Sequence, residues 1–247
     1  MSRLRWGSHT HHELNYLVSE KTALRVREYV QCHLDFHEYS VGRPNYSYPV
    51  HTLYLDSDDL ALYWKAINDV EHRCQLRVRY YSAHPEAPVH LEVKRRQADV
   101  VRRLRCEIRP EAIFLVLAGH LADEQHLASG HPAHLFALQV LIALLRSLGA
   151  KPKLHVAYQR ECYVSDDETV RVTMDREIAC EASDTAELNV RMDHPCPLFR
   201  PCVLLELSFG ERFPDWLRGL VEHFSLKECE ADKYFEGISA LGHPFCR

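Results

Sequence analysis

Between His72 and Ser82 the chain alternates strictly. Arg73, Gln75, Arg77 and Arg79 fall on one parity, and Cys74, Leu76, Val78 and Tyr80 on the other. Between Val89 and Arg96, His90, Glu92, Lys94 and Arg96 alternate with Val89, Leu91 and Val93. Successive side chains of a strand point to opposite faces, so both segments read as strands with one apolar and one charged face. Turn formers in His84-Pro85-Glu86-Ala87-Pro88 join them. A second turn around Gln97-Ala98-Asp99 leads into Val100 to Ile108, where Arg103, Arg105 and Glu107 share a face. Three successive antiparallel strands would place Arg77, Arg79, Lys94, Arg96, Arg103 and Arg105 on one surface.

The same two-faced habit recurs along the chain. His11, Glu13 and Asn15 alternate with His12, Leu14, Tyr16 and Val18. His51 to Asp56 is a short strand. Lys153 to Tyr163 puts Tyr158 and Arg160 together. Thr169 to Ala179 puts Arg171, Thr173, Asp175 and Glu177 opposite Val170, Val172 and Met174. Cys202 to Phe209 sets Glu206 and Ser208 against Val203, Leu205, Leu207 and Phe209. Helices fill the gaps. Ser19 caps a helix reaching about Leu34, with Leu24, Tyr29, Val30 and His33 inward. Asp58 or Asp59 starts Leu60 to Ile67. Pro110 opens a helix with Ile113, Phe114 and Leu117, and Pro132 to Leu148 ends at Gly149. Pro214 to Phe224 and Ala231 to Leu241 complete the set. With no βαβ alternation and no internal repeat, the pattern predicts an α+β chain. Its large antiparallel sheet is either open or closed into a barrel.

Composition is that of an ordinary globular chain: 247 residues, 46% hydrophobic and 26% charged, expected to form a single domain over 1–247. No apolar stretch is long enough to span a bilayer, and Met1 to Trp6 lacks the apolar run of a secretory signal. The nine cysteines are dispersed without a C-x-x-C pair, which fits reduced, structural thiols and a cytoplasmic protein. His9, His11 and His12 cluster, as do His120, His126, His131 and His134, without zinc-ligand spacing. Solvated or hydrogen-bonding histidines are the expectation.

Net charge is −5, which argues against a nucleic-acid partner. Residues 71–109, however, carry ten Lys and Arg against five Asp and Glu, a local charge of +5 in a chain whose remainder is −10. One sign of charge lining a cleft focuses field on an anion. A flat face with so many like charges would be unstable unless anions or carboxylates lay opposite. A closed barrel with its apolar face against helices must instead turn this face inward, as a binding tunnel. Arg and Lys donors converging from several directions suit a polyanion such as a triphosphate. Glu13, Glu92, Asp175 and Glu206 are then candidates to hold a divalent cation bridging phosphate oxygens. The Walker pattern, G-x-G-x-x-G and G-x-S-x-G are all absent, which excludes P-loop, dinucleotide-fold and α/β-hydrolase readings.

Six ordered blocks carry a resemblance. They are His12 to Val18, Leu53 to Asp56 followed by Leu60 to Tyr63, Leu76 to Tyr81, Leu91 to Arg96, Val170 to Asp175, and Leu204 to Leu207. Together they resemble the VTC domain, the polyphosphate polymerase domain of the triphosphate tunnel metalloenzyme superfamily. The likeness extends from about residue 9 to about 241. It implies an antiparallel eight-stranded β tunnel barrel with flanking helices, ATP as phosphoryl donor, polyphosphate as product, and Mn²⁺ or Mg²⁺. By motif it implies phosphate-binding roles for Arg77 and Arg79 (R-x-R), Lys94 (E-x-K), Arg160 and Arg171. Arg96, Arg103 and Arg105 join them by face. Glu206 would ligate the metal, with Glu13 as a second candidate. Lys233, in Asp232-Lys233-Tyr234, resembles the lysine of a closing helix. Arg77, Arg79, Lys94 and Lys233 are thus the expected catalytic set. The chemistry would be phosphoryl transfer by positioning and charge neutralisation.

The sequence departs from that pattern in two strands. Where the family usually reads R-x-E-x-K, this chain has His11, Glu13 and Asn15, and where it reads E-x-K this chain has Glu206 and Ser208. Three cations are therefore missing, each worth roughly 1.5–3 kcal/mol as a charged hydrogen bond. Lys153, Lys227 or His155 are the candidates to compensate. The missing lysines favour a module that binds polyphosphate or nucleotide without turnover, and the retained cations favour the polymerase. A metal-dependent triphosphatase of the same superfamily is the third reading, opposed by the absence of E-x-E-x-K. A membrane-bound partner is left unspecified.

Overall fold

Among the described residues ten strands, all paired antiparallel, make one sheet: β1 (His11–Val18), β2 (Asp35–Phe36), β3 (Ser47–Asp56), β4 (His72–Tyr80), β5 (Val89–Gln97), β6 (Val100–Ile108), β7 (Lys151–Val164), β8 (Arg171–Ala182), β9 (Cys196–Pro197) and β10 (Val203–Phe209). The structure is a computed structural model that describes residues 11–242, other than 70, 71, 83, 85, 86, 99, 121 and 122. Met1 to Trp6, His9, Glu71, Pro85, Glu86, Asp99 and Cys246 of the sequence reading lie outside the described residues. Pairing runs β1-β10-β8-β7-β3-β4-β5-β6, and His11↔Val101 and His12↔Val100 return β6 to β1. Eight long strands thus close a barrel, with β2 and β9 as two-residue additions to β7 and β8. The three strands expected from alternation form the ribbon β4-β5-β6, with Arg77 opposite Glu92 and Lys94 opposite Arg103.

The apolar core lies outside the barrel, under helices. α4 (Pro132–Leu148) lays Leu138, Leu141 and Leu145 on the outer face of β5 and β6, where Leu91, Val93 and Cys106 are buried. Gly149 adopts the left-handed conformation that ends it, φ 58°. α1 (Glu20–Val30) and α5 (Asp215–His223) cover β1, β8 and β10. α2 (Ala61–Asn68) and α6 (Lys233–Ala240) cover β3 and β7, and α3 (Ile113–Leu117) flanks α4. Each fully buried Leu or Val contributes about 1.5–3 kcal/mol, so the outer face alone fixes which face turns inward. Among the described residues no helix is long and apolar enough to cross a membrane.

Three local expectations are corrected. Ser19 does cap α1, its Oγ accepting from Thr22 N at 3.1 Å. The buried stripe, however, is Ala23, Val26 and Val30. Leu24 is exposed, and exposed His33 stacks on Trp216 with centroids 4.6 Å apart. Small and β-branched residues allow the closer approach of helix to sheet. α2 is capped by Asp56, whose carboxylate accepts from Leu62 N and Tyr63 N, and by Ser57, and not by Asp58 or Asp59. Asp58 instead pairs with Lys151 and Lys153. In α3 Ile113 and Val116 are inward, and Phe114 is exposed. Glu177 leaves the charged face, because the β7–β8 register slips between Ala157 and Gln159 and Glu177 takes up a positive φ of 53° there.

Candidate functional site

The barrel interior holds a cavity of about 810 Å³. Arg77, Arg79, Lys94, Arg96, Arg103, Arg105, Arg160, Arg171 and Lys233 all line it, as does Glu206. Strand parity delivers eight of these cations and Glu206, and α6 delivers Lys233. Gly237 lets α6 sit close on β7, since a Cβ there would stand 2.5 Å from Leu154 Cδ2. Asp232 caps the helix through Tyr234 N at 2.9 Å, and its other oxygen accepts from Gln75 Nε2 at 2.6 Å, tying α6 to β4. Arg73 lines the cavity as well and pairs with Glu230, whereas the other cations of the basic segment stand elsewhere: Arg95 and Arg102 are exposed, and Arg109 Nε donates to Leu127 O.

Three buried carboxylates organise the cations in pairs. Glu92 bonds Arg77 and lies 3.8 Å from Arg79. Glu13 bonds both Lys94 and Arg103, and His11 Nε2 lies 3.1 Å from it. Asp175 receives Arg160 in a two-pronged contact of 2.7 Å each and Lys233 at 2.8 Å. Each carboxylate serves two cations, so each trio keeps one positive charge. Burial opposes ionisation of all three acids, but the facing cations outweigh it. Glu13 and Glu92 are held well below the usual carboxylate range, and Asp175 is drawn down to about 2. Burial draws the Lys94 ammonium down, with Glu13 opposing. Burial opposes the charge of Arg160, but Asp175 beside it outweighs burial and raises it well above its ordinary value. Lys233 Nζ sits 4.8 Å from the Tyr158 ring centroid. Cations fixed in place by buried carboxylates stabilise charge more than mobile ones in water. Arg105 and Arg171 make no ion pair among the described residues, and both line the cavity.

Of the four carboxylates that sequence offered to a metal, three are consumed by these cations. Among the described residues no group of three or more His, Cys, Asp or Glu side chains is arranged to hold an ion. Glu206 lines the cavity and makes no hydrogen bond or ion pair among the described residues. It stands in register between Asn15 of β1 and Thr173 of β8, and Asn15 Oδ1 and Thr173 Oγ1 are both buried without a partner. One carboxylate with neutral oxygens suits Mg²⁺ or Mn²⁺, which keep waters and take phosphate oxygens as further ligands.

The expected compensation for the missing lysines is also corrected. Lys153 pairs with Asp58, His155 bonds His51, Lys227 is exposed, and none of the three lines the cavity. Asn15 and Ser208 do line it, as inner-wall positions of β1 and β10. Sequence reasoning named no role for His37, Tyr39, Tyr48, Tyr81, His90 or His134, which the cavity gathers at one end. His90 shares the parity of Glu92 and was legible by that signal. Tyr39 and His37 come from a loop without periodicity, which carries no such signal.

A search of curated proteins returns no match. Among solved structures, the chain is similar to the PH1819 protein from Pyrococcus horikoshii OT3. The TM-score is 0.48 at 16% identity, covering 92% of this chain and 96% of that one. The sequence matches the VTC domain family over residues 10–242. Closed barrel, inward cations and a family match across nearly the whole chain agree, and the chain belongs to the VTC domain family.

Proposed function

We propose that this protein is an ATP-dependent polyphosphate polymerase. It would transfer the terminal phosphoryl group of ATP to a phosphate chain lying in the barrel. The observation that carries the reading is that all nine cations expected on the inner face line one cavity, six of them held by Glu13, Glu92 and Asp175. Arg77, Arg79, Lys94 and Lys233 would bear on the transferred phosphoryl group. Arg96, Arg103, Arg105, Arg160 and Arg171 would hold the rest of the donor and the growing chain. The attacking group is the chain end itself, so no protein nucleophile is needed, and positioning with charge neutralisation suffices. Glu206 would hold Mn²⁺ or Mg²⁺, aided by the free oxygens of Asn15 and Thr173; the ion supplies neutralisation of developing phosphate charge when bound.

Asn15 and Ser208 favour a second reading, a module that binds polyphosphate or nucleotide without turnover. Purified protein incubated with ATP and Mn²⁺, followed by polyphosphate staining of a gel and a free-phosphate assay, separates the readings. Long chains mean polymerase, free phosphate alone means triphosphatase, and neither, with triphosphate binding retained, means the binding module. Glu206→Gln should keep most triphosphate binding and abolish metal-dependent synthesis.

A further inference from the structure

One end of the cavity is aromatic, and phosphate chemistry does not account for it. Tyr81 follows the last residue of β4, Tyr48 is the second residue of β3, and Tyr39 comes from the loop between β2 and β3. Ring centroids lie 5.2 Å apart for Tyr39 and Tyr81, 5.6 Å for Tyr39 and Tyr48, and 6.0 Å for Tyr48 and Tyr81. The interplanar angles of 60° to 83° mean that no ring covers another face to face. Tyr39 is 36% exposed and lines the cavity with the other two. Arg79, Arg160 and Arg105 line the same cavity, near enough to Tyr81, Tyr48 and Tyr39 to act on them electrostatically.

His90 is the second observation. It is the second residue of β5, next to this cluster, its ring 5.8 Å from that of Tyr81, and it lines the same cavity. The residue is 2% exposed, yet neither ring nitrogen has a hydrogen-bond partner, Glu107 being 3.8 Å away. A buried polar group without a partner is destabilising unless a ligand or water completes it. Burial keeps this imidazole neutral, so it offers one donor and one acceptor. Rings to stack on, a donor–acceptor pair beside them, and guanidinium groups lining the same cavity match a planar base joined to a phosphate chain.

We propose that Tyr39, Tyr48, Tyr81 and His90 form a nucleoside subsite at the mouth where β4 ends and β5 begins. There they hold the base of a nucleoside triphosphate while Arg79 and Arg160 receive its phosphates. The proposal rests on the reading of the barrel as a phosphate site, and it gives the tunnel a direction. The donor sits at the Tyr39 mouth, and the phosphate chain lies toward the Arg73 and Arg96 end. Stacking is tolerant of base identity, so purines should bind better than pyrimidines by area alone.

The test is calorimetric titration of the wild-type protein with ATP and with ribose 5′-triphosphate, which lacks the base. The same titrations follow for Tyr39→Ala with Tyr81→Ala, and for Tyr39→Phe with Tyr81→Phe. Wild type should bind ATP at least about tenfold more tightly than ribose triphosphate, as expected for one stacked base. The Ala pair should lose that advantage while leaving ribose triphosphate affinity unchanged. The Phe pair should keep it. Equal affinity of wild type for the two ligands overturns the subsite and leaves the phosphate tunnel standing. Equal weakening of both ligands in the Ala pair also overturns it, since the tyrosines would then be structural. Failure of wild type to bind either ligand overturns the tunnel reading together with the subsite.

Discussion

Glu13→Gln offers the sharpest test of how the tunnel is held open. The carboxylate is fully buried and bonded by Lys94 and Arg103, with His11 at 3.1 Å. Glutamine keeps the shape and removes the charge, leaving two cations face to face. Breaking a buried pair from one side costs about 3–5 kcal/mol. In a chain of this size 1 kcal/mol moves Tm by about 2–4 °C, so the variant should melt roughly 6–20 °C lower. Triphosphate brings the missing negative charge. Part of the lost energy should return on binding, and each 1.4 kcal/mol regained is about tenfold in affinity. The variant should therefore bind tripolyphosphate about tenfold or more tightly than wild type, and its Tm should rise further at the same ligand concentration. The assay is thermal denaturation and titration with tripolyphosphate in chelator, against chloride at equal ionic strength. An unchanged Tm, or a metal-free affinity that falls, would refute the counter-ion role. If Glu13 is instead a metal ligand, the substitution should weaken only the Mn²⁺-dependent part of binding.

Three further outcomes are expected. Arg79→Ala or Lys94→Ala should each weaken triphosphate binding by about 10- to 100-fold, as loss of one charged hydrogen bond implies, and lower synthesis with it; titration and initial rates measure this. Asn15→Lys with Ser208→Lys restores ammonium groups beside Glu206 and Glu13 respectively, and the initial rate of polyphosphate formation should rise more than triphosphate affinity does. Acid should destabilise the fold before the carboxylates titrate. Burial depresses His51 and His155 to about 4 and His90 to about 3, so the unfolded chain binds more protons as pH falls below about 6.5. Stability is complete above that value and is lost toward pH 4, by about 2–3 kcal/mol for each of His51 and His155; urea unfolding at pH 7, 5.5 and 4.5 measures it, and His155→Gln should flatten the slope.

Strand parity is a strictly local property, and it decided most of the site. The alternation of Arg77 and Arg79 with Leu76 and Val78 is enough to say that the two guanidinium groups share a face, because the side-chain period of a strand is two. The same holds for Lys94, Arg103, Arg160, Arg171 and Glu206. Caps and stops written into neighbouring residues, such as Ser19 and Gly149, were equally legible. Closure was not. It depends on β6 returning to β1 through His11↔Val101, a pairing between segments about ninety residues apart that no local pattern encodes. Nor could sequence assign Glu13, Glu92 and Asp175 between metal and counter-ion. That choice rests on which cations the barrel brings within bonding distance, and two of them reach each carboxylate. Lys233 reaches the cavity only because Gly237 lets α6 settle on β7, and Tyr39 reaches it from a loop. Sequence thus determined which side chains share a face, since that needs only the geometry of one strand. The tertiary structure decided which faces meet, because the free energy of closure belongs to contacts between residues far apart in the chain.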